Sequence, residues 1–188
     1  MQAAPTPVEV RRAESADVAE IHALMRAYYA EDEYRFSEDR ALAALSALVA
    51  DRSLGEVWVV VAGEVVAGYC AVGFGFSLEF HGRDAFVDEL YVRPDARGRG
   101  FAARLLDRAE QGCLEAGVRA LHLEVEVDKA ETYAWYRRRG FVDHERRMMT
   151  KWLDPAPAEG GAAPPARAHS TVLKRSVQRH HKEGCEEV

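Results

Sequence analysis

The chain has 188 residues, of which 48% are hydrophobic, and this length and composition predict one globular domain with its own core. Its formal net charge of −6 argues against nucleic acid or an anionic membrane as a partner. Its three cysteines have neither the spacing of a disulfide framework nor that of a metal site, which predicts a reduced protein. The sequence shows neither an apolar leader nor an apolar stretch of membrane length, and we therefore predict a cytoplasmic location.

Apolar periodicity predicts alternating strands and helices as far as Leu153. In chain order the patterns predict a strand over 8–14, a helix over 16–30 capped by Ser15, a helix over 38–50, a hairpin over 55–76, a strand over 85–92, a long helix ending at Ala116, a strand over 120–127, a helix over 129–139 and one or two strands over 141–153.

The composition changes at Asp154. We therefore predict a domain over 1–153 and, over 154–188, a linker rich in Pro, Ala and Gly followed by a disordered or weakly helical tail. The tail histidines (His169, His180 and His181) lack a metal-ligand spacing, and we predict no metal site.

The stretch RPDARGRGFAARLL joins the strand over 85–92 to the long helix. Unpaired N–H groups at a helix N-terminus favour anions, and Gly98 and Gly100 allow close approach to the backbone. Arg97 and Arg99 add charged, fork-shaped donors, and Ala102 keeps the first turn open. The sequence therefore predicts a phosphate or pyrophosphate cradle in preference to a solvated turn.

The segment GRGFAA also matches the dinucleotide pattern G-x-G-x-x-G/A. That pattern normally opens a βαβ fold with its first glycine at the strand end. Here the residues from Arg93 to Arg97 intervene, and too few strand-and-helix units follow to complete a doubly wound sheet. We therefore reject a nicotinamide-dependent oxidoreductase.

The segment LYVRPDARGRGFAARLL resembles the acetyl-CoA-binding motif of the GNAT N-acetyltransferase superfamily, Arg/Gln-x-x-Gly-x-Gly/Ala, with Arg97, Gly100 and Ala102 at the matching positions. WYRRRGF resembles the family's Tyr-x-x-x-Gly-Phe segment. The resemblance implies an α/β (α+β) fold in which a mixed, mostly antiparallel central sheet, flanked by helices, splays open between its fourth and fifth strands.

The resemblance implies acetyl-CoA as cosubstrate and allows for a homodimer. The pantetheine arm is expected to pair with the backbone near Leu90, Tyr91 and Val92, and the pyrophosphate to lie on the segment Arg97, Gly98, Arg99, Gly100, Phe101 and Ala102. The chain departs from the family at Lys129 and Thr132, where many members have Asn and Ala, so Lys129 would contact CoA through a charge.

Acetyl transfer to an alkyl amine needs a base for the ammonium and an acid for the leaving thiolate. The resemblance makes Tyr136 the candidate acid, against a role as a packing aromatic. Asp88 and Glu89 interrupt an apolar strand, and strand alternation predicts that they project to opposite faces. We favour Asp88 over Glu89 as base or water-holder; a structural salt bridge is the alternative for either.

The alternating residues His122, Glu124 and Glu126 are expected either to enter the cleft or to lie on the surface. The candidate residues for the acceptor are acidic and aromatic: Glu31, Asp32, Glu33, Tyr34 and Glu79. They favour a small cationic amine, such as a diamine, polyamine or aminoglycoside. A less charged amine or amino acid, a protein lysine or N-terminus, and an acetyl-CoA sensor without turnover remain as alternatives.

Overall fold

The computed structural model of the chain describes residues 7–151 and 153, and the predicted tail lies outside them. Five strands form one sheet in the order β1-β2-β3-β4-β5, with bounds β1 Val8–Arg12, β2 Gly55–Ala62, β3 Val65–Ser77, β4 Gly82–Val92 and β5 Ala120–His122. The first four strands are antiparallel neighbours, and β5 runs parallel to β4. The splayed mixed sheet predicted from the sequence is confirmed.

Four α-helices cover the two faces of the sheet: α1 Val18–Glu31, α2 Glu38–Ala50, α3 Phe101–Glu115 and α4 Ala130–Arg138. The helices α1 and α2 bury Ile21 and Leu45 against one face, together with Val59 and Tyr69. None of the described helices is both long and apolar enough to cross a membrane.

The helix α3 covers the opposite face because its apolar residues recur at helical spacing. Phe101, Leu105, Leu106 and Ala109 are all at most 5% exposed, and they pack on the sheet residues Val60, Cys70, Val72 and Val87. This packing fixes the N-terminus of α3 beside the end of β4.

Two strand predictions were wrong. The strand predicted over 120–127 ends at His122, and residues 141–151 form no regular structure. In that segment Val142 is 66% exposed and Met149 is 92% exposed, so no apolar face is buried that would hold a strand against the sheet. Ser15 begins a short 3-10 helix that precedes α1, and Glu14 caps it.

Candidate active site

The sheet opens between β4 and β5. The two strands pair only from Asp84 to Phe86 on β4 and from Ala120 to His122 on β5. From Val87 to Val92, β4 has no strand partner on this side among the described residues, although it stays paired with β3 on the other. Alternate backbone groups of this segment therefore face the opening and can bind an extended ligand. The segment includes Leu90, Tyr91 and Val92, the residues whose backbone the sequence predicts as the pantetheine contact.

The backbone loop before α3 has the shape of an anion cradle. Gly98 and Gly100 both have a φ of +76°, which L side chains rarely adopt, and the space beside each Cα is open. Phe101 anchors the first turn in the core, and that turn contains no acidic residue. The first N–H groups of this 15-residue helix have no intrahelical partner, so they are available to an anion at the helix start, which follows the end of β4.

The arginines of this loop differ in their contacts. Arg99 is exposed and pairs with no acidic side chain in the part of the chain that the structure describes. Arg97 donates from Nε to the Val92 carbonyl at 2.9 Å and holds Glu31 through two bonds of 2.8 and 2.6 Å. The hydrogen bonds from Arg97 hold the pKa of Glu31 below its usual range. Arg97 thus uses three of its five N–H donors inside the protein.

The acidic connection between α1 and α2 is tied to both sides of the opening. Glu31 binds Arg97 beside the cradle, and on the other side Lys129 donates to Asp32 at 2.7 Å. Tyr34 donates to Glu126, the residue that also lies 3.4 Å from Lys129. Burial alone would lower the pKa of Lys129, but its bonds to Asp32 and Glu126 raise it. These ion pairs therefore join two residues predicted to bind the cofactor, Arg97 and Lys129, to two predicted to bind the acceptor, Glu31 and Asp32. Their opposite charges neutralise each other.

Asp88 and Glu89 lie on the same face of the sheet, so the predicted opposite projection was wrong. Val87 pairs with Val72 and Glu89 pairs with Ala71, which leaves Asp88 as the extra residue of a β-bulge. The bulge shifts the alternation by one position. Both carboxylates therefore face the layer of α1 and α2.

The two carboxylates differ in their surroundings. Glu89 is 6% exposed and accepts hydrogen bonds from Tyr69, at 2.5 Å, and from Tyr29. Its burial raises the pKa of Glu89, and the tyrosine bonds oppose that shift. Asp88 meets solvent and has no hydrogen-bond partner in the described chain, yet the surrounding walls reduce its hydration and raise the pKa of its carboxyl group. Asp88 is therefore the carboxylate free to take a proton from a ligand.

Tyr136 lies on the other face of the sheet, in α4. Its ring is half-buried against Trp135 and Phe141, with ring centres 4.7 and 5.5 Å away. Its hydroxyl has no hydrogen-bond partner among the described residues. Burial raises the pKa of Tyr136 to about 12, with Cys70 adding to the shift and Arg139 opposing it. The hydroxyl is therefore protonated at neutral pH and able to donate.

Other predicted residues lie apart from this centre. Glu79 is held by Arg146 through bonds of 2.8 and 2.9 Å, and Glu33 is exposed. His122 lies 3.7 Å from Asp84 at the start of the opening. No group of His, Cys, Asp and Glu within residues 7–151 is arranged to hold a metal ion.

Sequence reasoning missed Tyr69. Its side chain is fully buried, and its hydroxyl donates to Glu89 at 2.5 Å. A tyrosine inside an apolar strand was a usable signal, since a buried hydroxyl nearly always has a hydrogen-bond partner.

A family model described as the acetyltransferase (GNAT) family matches residues 18–141, which include the sheet opening, the cradle, Asp88 and Tyr136. An integron cassette protein from the mobile metagenome of Cole Harbour Salt Marsh shares the fold with a TM-score of 0.69 and 36% identity, over 78% of this chain and 91% of that one.

Two curated relatives carry named activities. A thialysine N-epsilon-acetyltransferase of Bos taurus is 28% identical over 63% of this chain and 74% of its own length. An IAA acetyltransferase of Azospirillum brasilense is 40% identical over 38% of this chain, and the match spans 48% of the relative's length, about half.

Proposed function

The chain belongs to the acetyltransferase (GNAT) family, and from that premise we propose that it transfers the acetyl group of acetyl-CoA to a primary amine of a small molecule. The observation that carries the proposal is the bulged, unpaired segment of β4, which places Asp88 beside a sheet opening that ends at a backbone anion cradle. The relative named for thialysine supports an amine acceptor.

Acetyl-CoA supplies the thioester. The residues present fit it, because the free β4 edge suits an extended pantetheine arm and the N–H groups at the start of α3 suit a pyrophosphate. Phe101 is the core anchor of this helix turn, and Ala102 keeps it free of bulk. Arg99, which is exposed and has no acidic partner in the described chain, is suited to bind the pyrophosphate.

The acid and base of the reaction lie on opposite faces of the opening. Asp88, on the face of α1 and α2, accepts the proton that the ammonium must lose before attack, directly or through water. The amine nitrogen then attacks the thioester carbonyl carbon, which forms the C–N bond and an oxyanion, and the C–S bond breaks as this intermediate collapses. The second proton lost by the nitrogen leaves through water and restores the proton that Tyr136 gives up. Tyr136, on the face of α3, donates its proton to the departing thiolate. A backbone N–H of the free β4 edge is suited to bind the oxyanion formed between these steps.

Glu89 is a positioning residue in this scheme. Tyr69 and Tyr29 occupy its carboxylate, which fixes the bulge against α1 and keeps Asp88 turned to the open side. The occupied carboxylate of Glu89 and the unbonded carboxylate of Asp88 support Asp88, the residue that the sequence favoured, as the base.

The proposal is tested by measuring thiol release from acetyl-CoA with a panel of amines and identifying the acetylated product by mass. The panel contains monoamines, diamines, spermidine, an aminoglycoside, amino acids and a lysine peptide. Thiol release with a matching acetylated small amine is expected. Tight acetyl-CoA binding without release for any amine would instead favour a sensor, and release with the peptide alone would favour a protein acceptor.

We expect Arg99→Ala to raise the Kd for acetyl-CoA about 10-fold, or ~1.4 kcal/mol, because a charge-assisted contact to phosphate is lost. The effect should shrink as salt rises, since the side chain is exposed. S-acetylpantetheine lacks the pyrophosphate, so its Kd should not change. Arg108→Ala is the matched control, because Arg108 lies over the Trp58 ring away from the cradle. An unchanged Kd for acetyl-CoA would remove Arg99 from the phosphate contact.

A further inference from the structure

A solvent-open cavity of about 540 Å³ lies between α2 and the face of β4 that carries Asp88. Leu48, Leu54, Phe86 and Met148 supply apolar walls, and Ala44 and Gly73 complete the lining. Asp88 is the one charged residue among the described residues that line it. The volume is within the range of small-molecule sites, about 300–1,000 Å³. An acceptor in this cavity can reach the proposed base directly.

The acidic residues outside the cavity offer little free charge to a polycation. Internal cations hold three of them: Arg97 holds Glu31, Lys129 holds Asp32 and Arg146 holds Glu79. Glu33 is exposed without an ion pair in the described chain, and Glu89 is held by tyrosines, but neither lines the cavity, so a second ammonium inside it would remain unpaired. The pairing weakens the case that these acidic residues make for a diamine or polyamine.

An unpaired ammonium against leucine, phenylalanine and methionine side chains is unfavourable, because the charge loses hydration without gaining a partner. An apolar group in the same place is favourable. One carboxylate in an apolar cavity is therefore complementary to one ammonium on an apolar body.

We propose that the acceptor is a primary amine with a single positive charge and an alkyl or aryl body, which fills this cavity and presents its nitrogen to Asp88. The inference rests on the proposed acetyl transfer and specifies its substrate class.

The decisive comparison is between hexylamine and 1,6-diaminohexane, which have similar length and differ in one terminal ammonium. We expect kcat/KM for hexylamine to be at least about 10-fold higher, since its alkyl end gains by packing on the apolar walls, whereas the second ammonium of the diamine either stays in water without that packing or loses hydration without a partner. Calorimetric titration of both amines into the full chain saturated with CoA should show the same order of Kd. Equal or better values for the diamine would overturn the inference and leave acetyl transfer standing.

The calorimetry also separates the two proposals. If no amine releases thiol, the proposed function fails. In that case, tighter binding of hexylamine than of 1,6-diaminohexane would still support the cavity as a monoamine site. If neither amine binds the CoA complex and only another class of acceptor is acetylated, the monoamine inference is wrong.

A variant provides an independent test. Ala44 is exposed on α2 and lines the cavity, so Ala44→Glu adds a second carboxylate there with little effect on packing. In this variant the ratio of kcat/KM for 1,6-diaminohexane to kcat/KM for hexylamine should rise at least about 5-fold, since the second ammonium gains a partner. Ala43→Glu changes the net charge equally at an exposed position outside the lining and should leave the ratio unchanged. An identical ratio in both variants would contradict the placement of the acceptor.

Discussion

Replacing Tyr136 with phenylalanine is expected to lower kcat by about 10²-fold or more, ~3 kcal/mol of barrier, with the Kd for acetyl-CoA unchanged within about 2-fold. Proton transfer to the departing thiolate of CoA assists C–S cleavage, and Tyr136 is the donor proposed for it. Its pKa, raised to about 12 by burial, keeps it protonated at neutral pH.

The variant should fold normally. The ring contacts with Trp135 and Phe141 are retained by phenylalanine, and the hydroxyl makes no hydrogen bond that the described structure would lose. Thermal unfolding and acetyl-CoA titration check this directly, and stopped-time assays of thiol release give kcat.

Tyr133→Phe is the matched control. Tyr133 lies one turn earlier in α4, is 42% exposed and bonds to Asp143, away from the opening. Its removal should leave kcat within about 2-fold, since a surface hydrogen bond contributes little. If Tyr136→Phe also retained full kcat, the proton donor would have to be another group or water.

The local parts of this molecule could be predicted from the sequence. The bounds of α2, Glu38–Ala50, follow from its composition and spacing, and the cradle follows from glycines at a strand-to-helix junction. Each depends on neighbours in the chain, which sequence patterns report well.

The non-local parts could not be predicted. The bulge at Asp88 depends on the register between β3 and β4. Because of this one extra residue, Asp88 and Glu89 lie on the same face of the sheet, whereas strand alternation predicts opposite faces. The ion pairs of Glu31 and Asp32 join residues 66 and 97 positions apart. The acidic connection therefore looked like a free cation site, although its charge is largely neutralised within the fold.

The missing strand over 123–127 has a similar cause. Its alternation of apolar and acidic residues is typical of a strand, but a strand also needs a partner for its backbone. Beside the opening that partner is absent among the described residues, and Glu126 is instead held by Tyr34 and Lys129. The lack of pairing that made the prediction wrong is what exposes the edge of β4.

Asp88→Asn is expected to lower kcat/KM by about 10²-fold or more, because the amide cannot take the proton of the ammonium. Desolvation raises the pKa of Asp88 above the value near 3.9 that is usual for aspartate. Only the ionised form is a base, so activity should be present above the raised pKa and lost as the pH falls through it. The acidic limb of the pH profile should therefore lie above the usual pKa of an aspartate and vanish in the Asn variant.

The deprotonation of the acceptor amine also produces a limb in the pH profile. This limb is common to all variants and is identified because its midpoint pH does not change. Glu89→Gln is the matched comparison, since it changes the neighbouring carboxylate on the same face while Tyr69 and Tyr29 can still donate to the amide oxygen. If Asp88 is the base, the Gln variant keeps the enzymatic limb and loses much less kcat/KM. If Glu89→Gln removes the limb and Asp88→Asn keeps it, Glu89 is the base, and its tyrosine bonds must open before the amine is deprotonated.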